Sequence, residues 1–168
     1  FLKHCPADIP ITVLGASSNL IIRDGGIRGV VIKLGRAFTD MRVENGDQIY
    51  AGAFATDVNV AHFAADQGLT GLEFLSGIPG TIGGGLTMNA GAYGGEFKDV
   101  LETAFALTRQ GDELRLTVHD LDMAYRHTNT KEKGLIFTAA LFNTHGSDTP
   151  ENIKAAIQDI KTKRESTQ

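Results

Sequence analysis

The sequence predicts an α+β fold with a small parallel, βαβ-like part followed by a larger antiparallel sheet with helices. Three observations carry this. Ile11-Thr12-Val13-Leu14 is a short apolar, β-branched run that ends at Gly15, the pattern of a buried strand entering a tight turn. Asn45-Gly46-Asp47 separates the runs Met41–Glu44 and Gln48–Ala51, a strong hairpin signal. Helical periodicity appears from about Thr56 to Gln67 and again after Thr149-Pro150. The change from parallel-type units to hairpins falls near residue 35. We therefore expect one subdomain over residues 1–35 and a second over 36–168.

In chain order, residues 1–10 read as a helix end and a turn punctuated by Pro6 and Pro10. After the first strand, Leu20–Arg23 leads to the turn Asp24-Gly25-Gly26 and a strand from Gly29 to Leu34. The helix over 56–67 should present Val58, Ala61, His62 and Ala65 on one face. His62 is expected to be a partly exposed helix residue. Leu101–Thr108 and Leu114–Val118 read as strands around Gln110-Gly111-Asp112. His119–Met123 is expected to be a short helical turn. Leu135–Asn143 is a strongly apolar strand. The last helix should start at a Thr149 cap with Pro150 as its first residue and run to about Glu165. Its apolar stripe is Ile153, Ala156, Ile157 and Ile160.

Between these elements lies the stretch Gly71–Gly95, apolar yet dense in glycine, which is costly inside a packed helix or strand. Pro79 can open a helix. Gly80-Thr81-Ile82-Gly83-Gly84 would then supply unpaired N–H groups where the helix dipole favours an anion. Asn89-Ala90-Gly91-Ala92 closes the segment with an amide and a residue able to take positive φ. A tight crossing lined by small residues is the bland alternative; the density of glycine favours a ligand cradle. Gly15-Ala16-Ser17-Ser18-Asn19-Leu20 offers a second nest of donors suited to a pyrophosphate, or an ordinary Ser/Asn turn. It does not match G-x-G-x-x-G, and no P-loop is present.

Composition limits the partners. The 168 residues carry a net charge of −4 and no basic block, which argues against nucleic acid. Cys5 is the single cysteine, so an internal disulfide is impossible and a reducing compartment is consistent. No apolar run reaches membrane-spanning length and no signal peptide is visible. The five histidines make no metal spacing, so no metal site is expected. No G-x-S-x-G elbow exists. Asp120 and Asp122 fit a solvated or capping pair better than a carboxylate dyad. Arg126, after Tyr125, could bind a carboxylate or stabilise an enolate, or equally make a surface salt bridge. The chain begins with Phe1 and its last residues read as a helix running onward, as expected of a piece of a longer protein.

Taken together, Leu14–Leu20, Gly77-Ile78-Pro79-Gly80-Thr81-Ile82-Gly83-Gly84, Asn89-Ala90-Gly91-Ala92-Tyr93-Gly94 and Tyr125-Arg126, in that order, resemble the UDP-N-acetylenolpyruvoylglucosamine reductase family along nearly the whole chain. The resemblance implies a two-subdomain FAD-binding fold of the vanillyl-alcohol oxidase type, with FAD between the subdomains. It implies cofactor contacts at Gly15, Ser17, Ser18, Asn19, Leu20, Pro79, Thr81, Ile82, Gly84, Asn89, Ala90, Gly91 and Ile136. It also implies NADPH as hydride donor and UDP-N-acetylglucosamine enolpyruvate as the small-molecule substrate, reduced to UDP-N-acetylmuramate for peptidoglycan. Arg126 matches the arginine that stabilises the enol(ate), and Tyr125 would position substrate. A cytoplasmic monomer is expected. The family's proton-donating serine lies in a later S-x-G-S-x-F-K-N-P-like segment and its glutamate near the C-terminus. Neither segment is in this sequence, so the substrate-binding domain is expected to be absent and this portion alone inactive. Lys163–Gln168 resembles the stretch before that domain, but Ser166 is not given the serine's role. A flavin-contacting segment before Phe1 is expected to be missing, and Gly85 stands where alanine is common. A related flavin oxidase and a non-catalytic module of the same fold are the competing readings.

Overall fold

A computed structural model describes residues 1–166. Thr167 and Gln168, part of the last stretch compared above, lie outside the described residues.

After a short 3-10 turn at Leu2–His4, β1 (Ile11–Leu14) and β2 (Val30–Lys33) form a two-stranded parallel sheet with Ile11 opposite Val30 and Leu14 opposite Lys33. The expected βαβ-like unit is corrected in one respect: the connection, residues 15–29, contains no helix. Its two clusters of turn formers, Ser17-Ser18-Asn19 and Asp24-Gly25-Gly26, leave too short a run between them for a stable helix.

β3 (Met41–Glu44) and β4 (Gln48–Gly52) form the predicted hairpin. Asn45 and Gly46 both take positive φ, 53° and 88°, as residues in such a tight turn must. α1 (Asp57–Asp66) follows, capped by Thr56, whose hydroxyl accepts from the Asn59 N–H. Then come β5 (Leu69–Thr70), a 3-10 segment (Glu73–Gly77), α2 (Ile82–Met88), β6 (Gly91–Ala92), β7 (Gly95–Glu96) and α3 (Phe97–Val100). β8 (Leu101–Leu107), β9 (Glu113–Leu116), β10 (Ile136–Asn143), β11 (Gly146–Ser147) and α4 (Pro150–Glu165) complete the chain.

The larger sheet has the order β3-β4-β10-β8-β9 and is antiparallel throughout. β10 is its central strand, which explains why it reads as almost continuously apolar: Ile136, Phe137, Ala139, Ala140 and Phe142 are all buried. α2 packs on β10, and α1 and α4 pack with the 3-10 segment. Phe97 and Phe142 meet edge to face at 5.5 Å in the core. Among the described residues, no helix is long and apolar enough to cross a membrane.

Two helix faces differ from expectation. α1 buries Asp57, Val60, Ala61, Ala64 and Ala65, while Val58 is 38% exposed and His62 is exposed. With so many alanines the apolar stripe is broad, and its centre was not fixed by periodicity alone. On α4 the Thr149 cap is as predicted, accepting from Asn152, but only Ile153 and Ile157 are buried. Ile160 is half-buried and Ala156 is exposed. His119–Met123 forms hydrogen-bonded turns, with Asp122 donating to the His119 carbonyl at 3.1 Å, rather than helix.

Candidate functional site

The two segments singled out in the sequence lie against each other. Gly15, directly after β1, sits over Thr81, and a Cβ there would lie only 2.4 Å from the Thr81 hydroxyl oxygen. Four residues on, the Asn19 side-chain amide points at the Met88 sulfur, 3.6 Å away. The loop therefore runs along α2 from its start to its end. Ser17 holds the left-handed backbone at φ 60°, and Ser17, Ser18, Asn19 and Leu20 are all exposed.

Beside this contact is an open groove walled by Val13–Gly15, Ala53-Phe54, the Thr81–Thr87 side of α2 and Leu135–Phe137. It continues past Val13, Thr87, Leu135 and Ile136 into a wider, open hollow. Arg109 and Lys131 lie on the wall of that hollow. Arg109 is held by the Pro6 and Ile9 carbonyls, at 2.8 and 3.0 Å. Of the expected cofactor residues, Gly15, Thr81, Gly84 and Ile136 line the groove together. Its other walls, among them Val13, Phe54, Thr87 and Phe137, were missed. Strand ends and a helix face carry no local signature of that kind.

The start of α2 corrects the anion-cradle expectation. The helix begins at Ile82, with Thr81 as its N-cap residue and no side-chain cap; Pro79 lies ahead of it and is exposed. The first N–H groups are not free. Ile82 donates to the Ala55 carbonyl at 3.0 Å and Gly83 to the Ala53 carbonyl at 2.8 Å. The chain leaving β4 passes along the helix start, and those buried carbonyls need partners. Ile82 itself is a core residue with no exposed surface.

The glycines also divide. Gly84 faces open space: a Cβ there would meet only the Thr81 hydroxyl, at 3.6 Å. Gly85 is pressed under the Phe97 ring, where a Cβ would lie 2.1 Å away. Gly77 faces the Tyr93 ring and Gly95 the Phe74 ring, each at 2.7 Å. Most of this segment's glycine therefore admits protein, here aromatic rings rather than the small-residue helix crossing of the bland alternative.

Asn89 is reassigned for a similar reason. It caps the C-terminus of α2 at φ 46° and is only 2% exposed. Its amide donates to the Glu96 carboxylate (2.9 Å) and the Ala124 carbonyl (2.8 Å), and its oxygen accepts from the Lys98 N–H (2.9 Å). Its side chain is thus occupied by protein partners. Ala90 donates its N–H to the Gly85 carbonyl, and Gly91 pairs with Glu96. Neither residue lines the groove.

Tyr125 and Arg126 form the tip of a two-residue hairpin closed by Ala124 and His127, which exchange backbone hydrogen bonds at 3.1 and 3.0 Å. Arg126 takes φ 52°, an uncommon backbone for a long side chain. Tyr125 is 76% exposed, and the Arg126 guanidinium stands 5.9 Å from its ring. Among the described residues Arg126 makes no salt bridge, so its charge is available to a ligand. Asp120 accepts from both the N–H and hydroxyl of Thr117, which hold its carboxyl below the usual range. That makes it a capping residue. Asp122 lies 3.4 Å from His127.

Asp57 was not anticipated. It is fully buried at the first position of α1, neither carboxylate oxygen has a hydrogen-bond partner, and burial pushes its pKa up to about 8. An acid just after a Thr cap reads as an ordinary helix-start residue, so the sequence held no hint of this burial.

Residues 2–117 match the family model described as FAD binding domain. The chain is 50% identical over 169 aligned residues to UDP-N-acetylenolpyruvoylglucosamine reductase of Phenylobacterium zucineum, an alignment that covers all of this chain and 56% of that protein. It is similar to the crystal structure of UDP-N-acetylenolpyruvylglucosamine reductase from Thermus caldophilus, with a TM-score of 0.83 at 30% identity, over 95% of this chain and 57% of that one. The fold alone is shared with 6-hydroxy-D-nicotine oxidase from Arthrobacter nicotinovorans, at a TM-score of 0.57 and 19% identity over 81% of this chain and 31% of that one. The chain spans about half the length of the curated relatives it matches. The matched residues contain both the Gly15 loop and α2, two of the walls of the groove, and the chain belongs to the FAD binding domain family.

Proposed function

We propose that the chain is the FAD-binding part of an NADPH-dependent UDP-N-acetylenolpyruvoylglucosamine reductase. The observation that carries this reading is the seating of the Gly15 loop on Thr81 beside the open face of Gly84. The residues fit a dinucleotide there. Gly84 leaves room for close approach to the α2 backbone. Exposed Ser17, Ser18 and Asn19 offer hydroxyl, amide and N–H donors to a pyrophosphate. Ile136 supplies an apolar wall for a flat ring.

When bound, FAD supplies the hydride-carrying chemistry between NADPH and the enolpyruvyl double bond. The protein's part is to hold and to polarise. Tyr125 and Arg126 stand exposed at their hairpin tip, and the unpaired guanidinium suits the charge that develops on an enolate. UDP-N-acetylglucosamine enolpyruvate is the proposed substrate, in a cytoplasmic, monomeric enzyme that feeds peptidoglycan synthesis. We take residues 1–35 and 36–168 as its two cofactor-holding subdomains.

The test begins with FAD titration of the full-length protein, followed by visible absorbance and flavin fluorescence. Saturable binding that is lost in Gly84→Val is expected, followed by NADPH oxidation dependent on the enolpyruvyl substrate. Binding without that turnover would favour an oxidase or a non-catalytic module. No binding would remove the flavoprotein reading.

A further inference from the structure

Asn89 ties the end of α2 to the nearby Glu96–Lys98 stretch and to Ala124, 35 positions on. It ends α2 in the left-handed conformation. Its amide nitrogen donates both hydrogens, one to Glu96 at 2.9 Å and one to the Ala124 carbonyl at 2.8 Å. Its oxygen takes the Lys98 N–H. Glu96 is itself fixed, since it caps α3 in a reciprocal box with Asp99 and pairs with Lys98 at 2.8 Å. Ala124 is the residue that closes the Tyr125–Arg126 hairpin. The same hairpin is tied to α2 a second time, where the Thr128 hydroxyl donates to the Thr87 carbonyl at 2.6 Å. Asn89 is buried, while the turn it holds is exposed and has Arg126 in a strained backbone.

We propose that Asn89 is a positioning residue: it hangs the Tyr125–Arg126 hairpin from the end of the cofactor-groove helix and sets where the Arg126 guanidinium stands. The proposal rests on the reductase reading for Arg126's role. Only a side chain with two donors and one acceptor, tolerated at positive φ, satisfies this node, and asparagine is the residue that combines them. Asn89 holds the Ala124 side of the hairpin to the end of α2, while Thr128 holds the side after His127 to the Thr87 carbonyl.

The experiment uses the full-length protein and two variants. Asn89→Gly keeps the left-handed backbone and deletes the amide. Asn89→Asp keeps the acceptor but sets a carboxylate against Glu96. Three readouts are taken: the rate of tryptic cleavage after Arg126, followed by mass spectrometry; bound FAD per chain; and kcat alone and in combination with Arg126→Ala. We expect cleavage after Arg126 to accelerate in both variants with FAD content unchanged. We expect kcat to fall roughly 10–100-fold, the scale of a small misplacement of a reacting group. Asn89→Gly with Arg126→Ala should be no slower than Arg126→Ala alone, because both act on one group.

Unchanged cleavage with loss of FAD would make Asn89 a direct cofactor contact and overturn the proposal. Additive loss in the double variant would do the same. If the unmodified protein shows no reductase turnover, the functional reading fails by itself, and the cleavage rate alone decides whether Asn89 holds the hairpin.

Discussion

Two glycine- and hydroxyl-rich segments, Gly15–Leu20 and Gly77–Gly95, invite the same reading and turn out differently. The first is exposed along most of its length, its one side-chain hydrogen bond among the described residues being that of the Asn19 amide to the Met88 sulfur. The second is largely packed: Gly77, Gly85 and Gly95 each lie beneath an aromatic ring, and its buried amide, Asn89, is consumed by protein partners. The second segment faces the groove through Thr81, Gly83, Gly84 and Thr87, and of those two glycines only Gly84 has open space over it. Glycine density reports close approach, but not the identity of what approaches.

Five substitutions sharpen or break this contrast. The largest effect is expected behind the cradle, at Asp57, whose Oδ2 would lie 2.8 Å from a Cβ on Gly80. Its folded carboxyl titrates near 8, above the ordinary 3.8, so its protonated form is favoured by folding. Stability from this group is fully present below about pH 4 and is lost as pH rises through about 8. Asp57→Asn should remove that loss, raising unfolding free energy at pH 9 by an amount on the order of 5 kcal/mol at most. Urea unfolding at pH 5 and pH 9 measures it; equal pH dependence in the two proteins would show that the carboxylate finds partners.

Next is Gly85→Ala. The new methyl collides with the Phe97 ring, which is fully buried and cannot swing away. We expect a loss of about 1–3 kcal/mol despite the gain in helix propensity. Phe97→Leu should recover part of it, and a double-mutant cycle in denaturant reads the coupling. Gly84→Ala is the contrasting probe. It should leave stability unchanged or raise it by up to about 1 kcal/mol, while weakening FAD binding by roughly tenfold. If Gly84→Ala and Gly85→Ala destabilise equally, the division between packed and open glycines is wrong. The smallest effect belongs to Asn19→Ala, whose exposed contact with Met88 is weak. We expect a several-fold loss of FAD affinity, of about 1 kcal/mol, and no shift in melting temperature.

Much of the fold could be read from the chain. Asn45-Gly46, Thr56 and Thr149 act through local stereochemistry and hydrogen bonds, which three or four residues determine, and each sits where expected. β10 was legible because a central strand buried on both faces must be apolar throughout. The site could be read from the sequence only as far as openness: Gly84 and the Ser17–Leu20 loop are exposed, as ligand-facing residues must be, while their contact with a cofactor is the proposal made above. It was illegible where a remote element supplied the partner. The Ala53 and Ala55 carbonyls take the N–H groups of α2, Phe97 fills the space over Gly85, and Ala124 claims Asn89. None of these pairings lies within one turn of its partner in sequence. The missing helix between β1 and β2 is a different case: its turn formers are local, and a parallel pair needs length in its connection rather than helix as such.

The small parallel sheet has a consequence for how the molecule opens. Two four-residue strands, with Val13 and Val31 partly bare, bury little and are held by few ladder bonds. β10, flanked on both sides, is the opposite extreme. Sub-global unfolding should therefore start with β1–β2, and amide exchange there should outpace that in β10 by orders of magnitude. That opening lifts Gly15 off Thr81 and takes apart one wall of the groove while the larger sheet stays folded. A ligand seated in the groove would close this route, so the first foldon to melt is also the one a bound cofactor protects most.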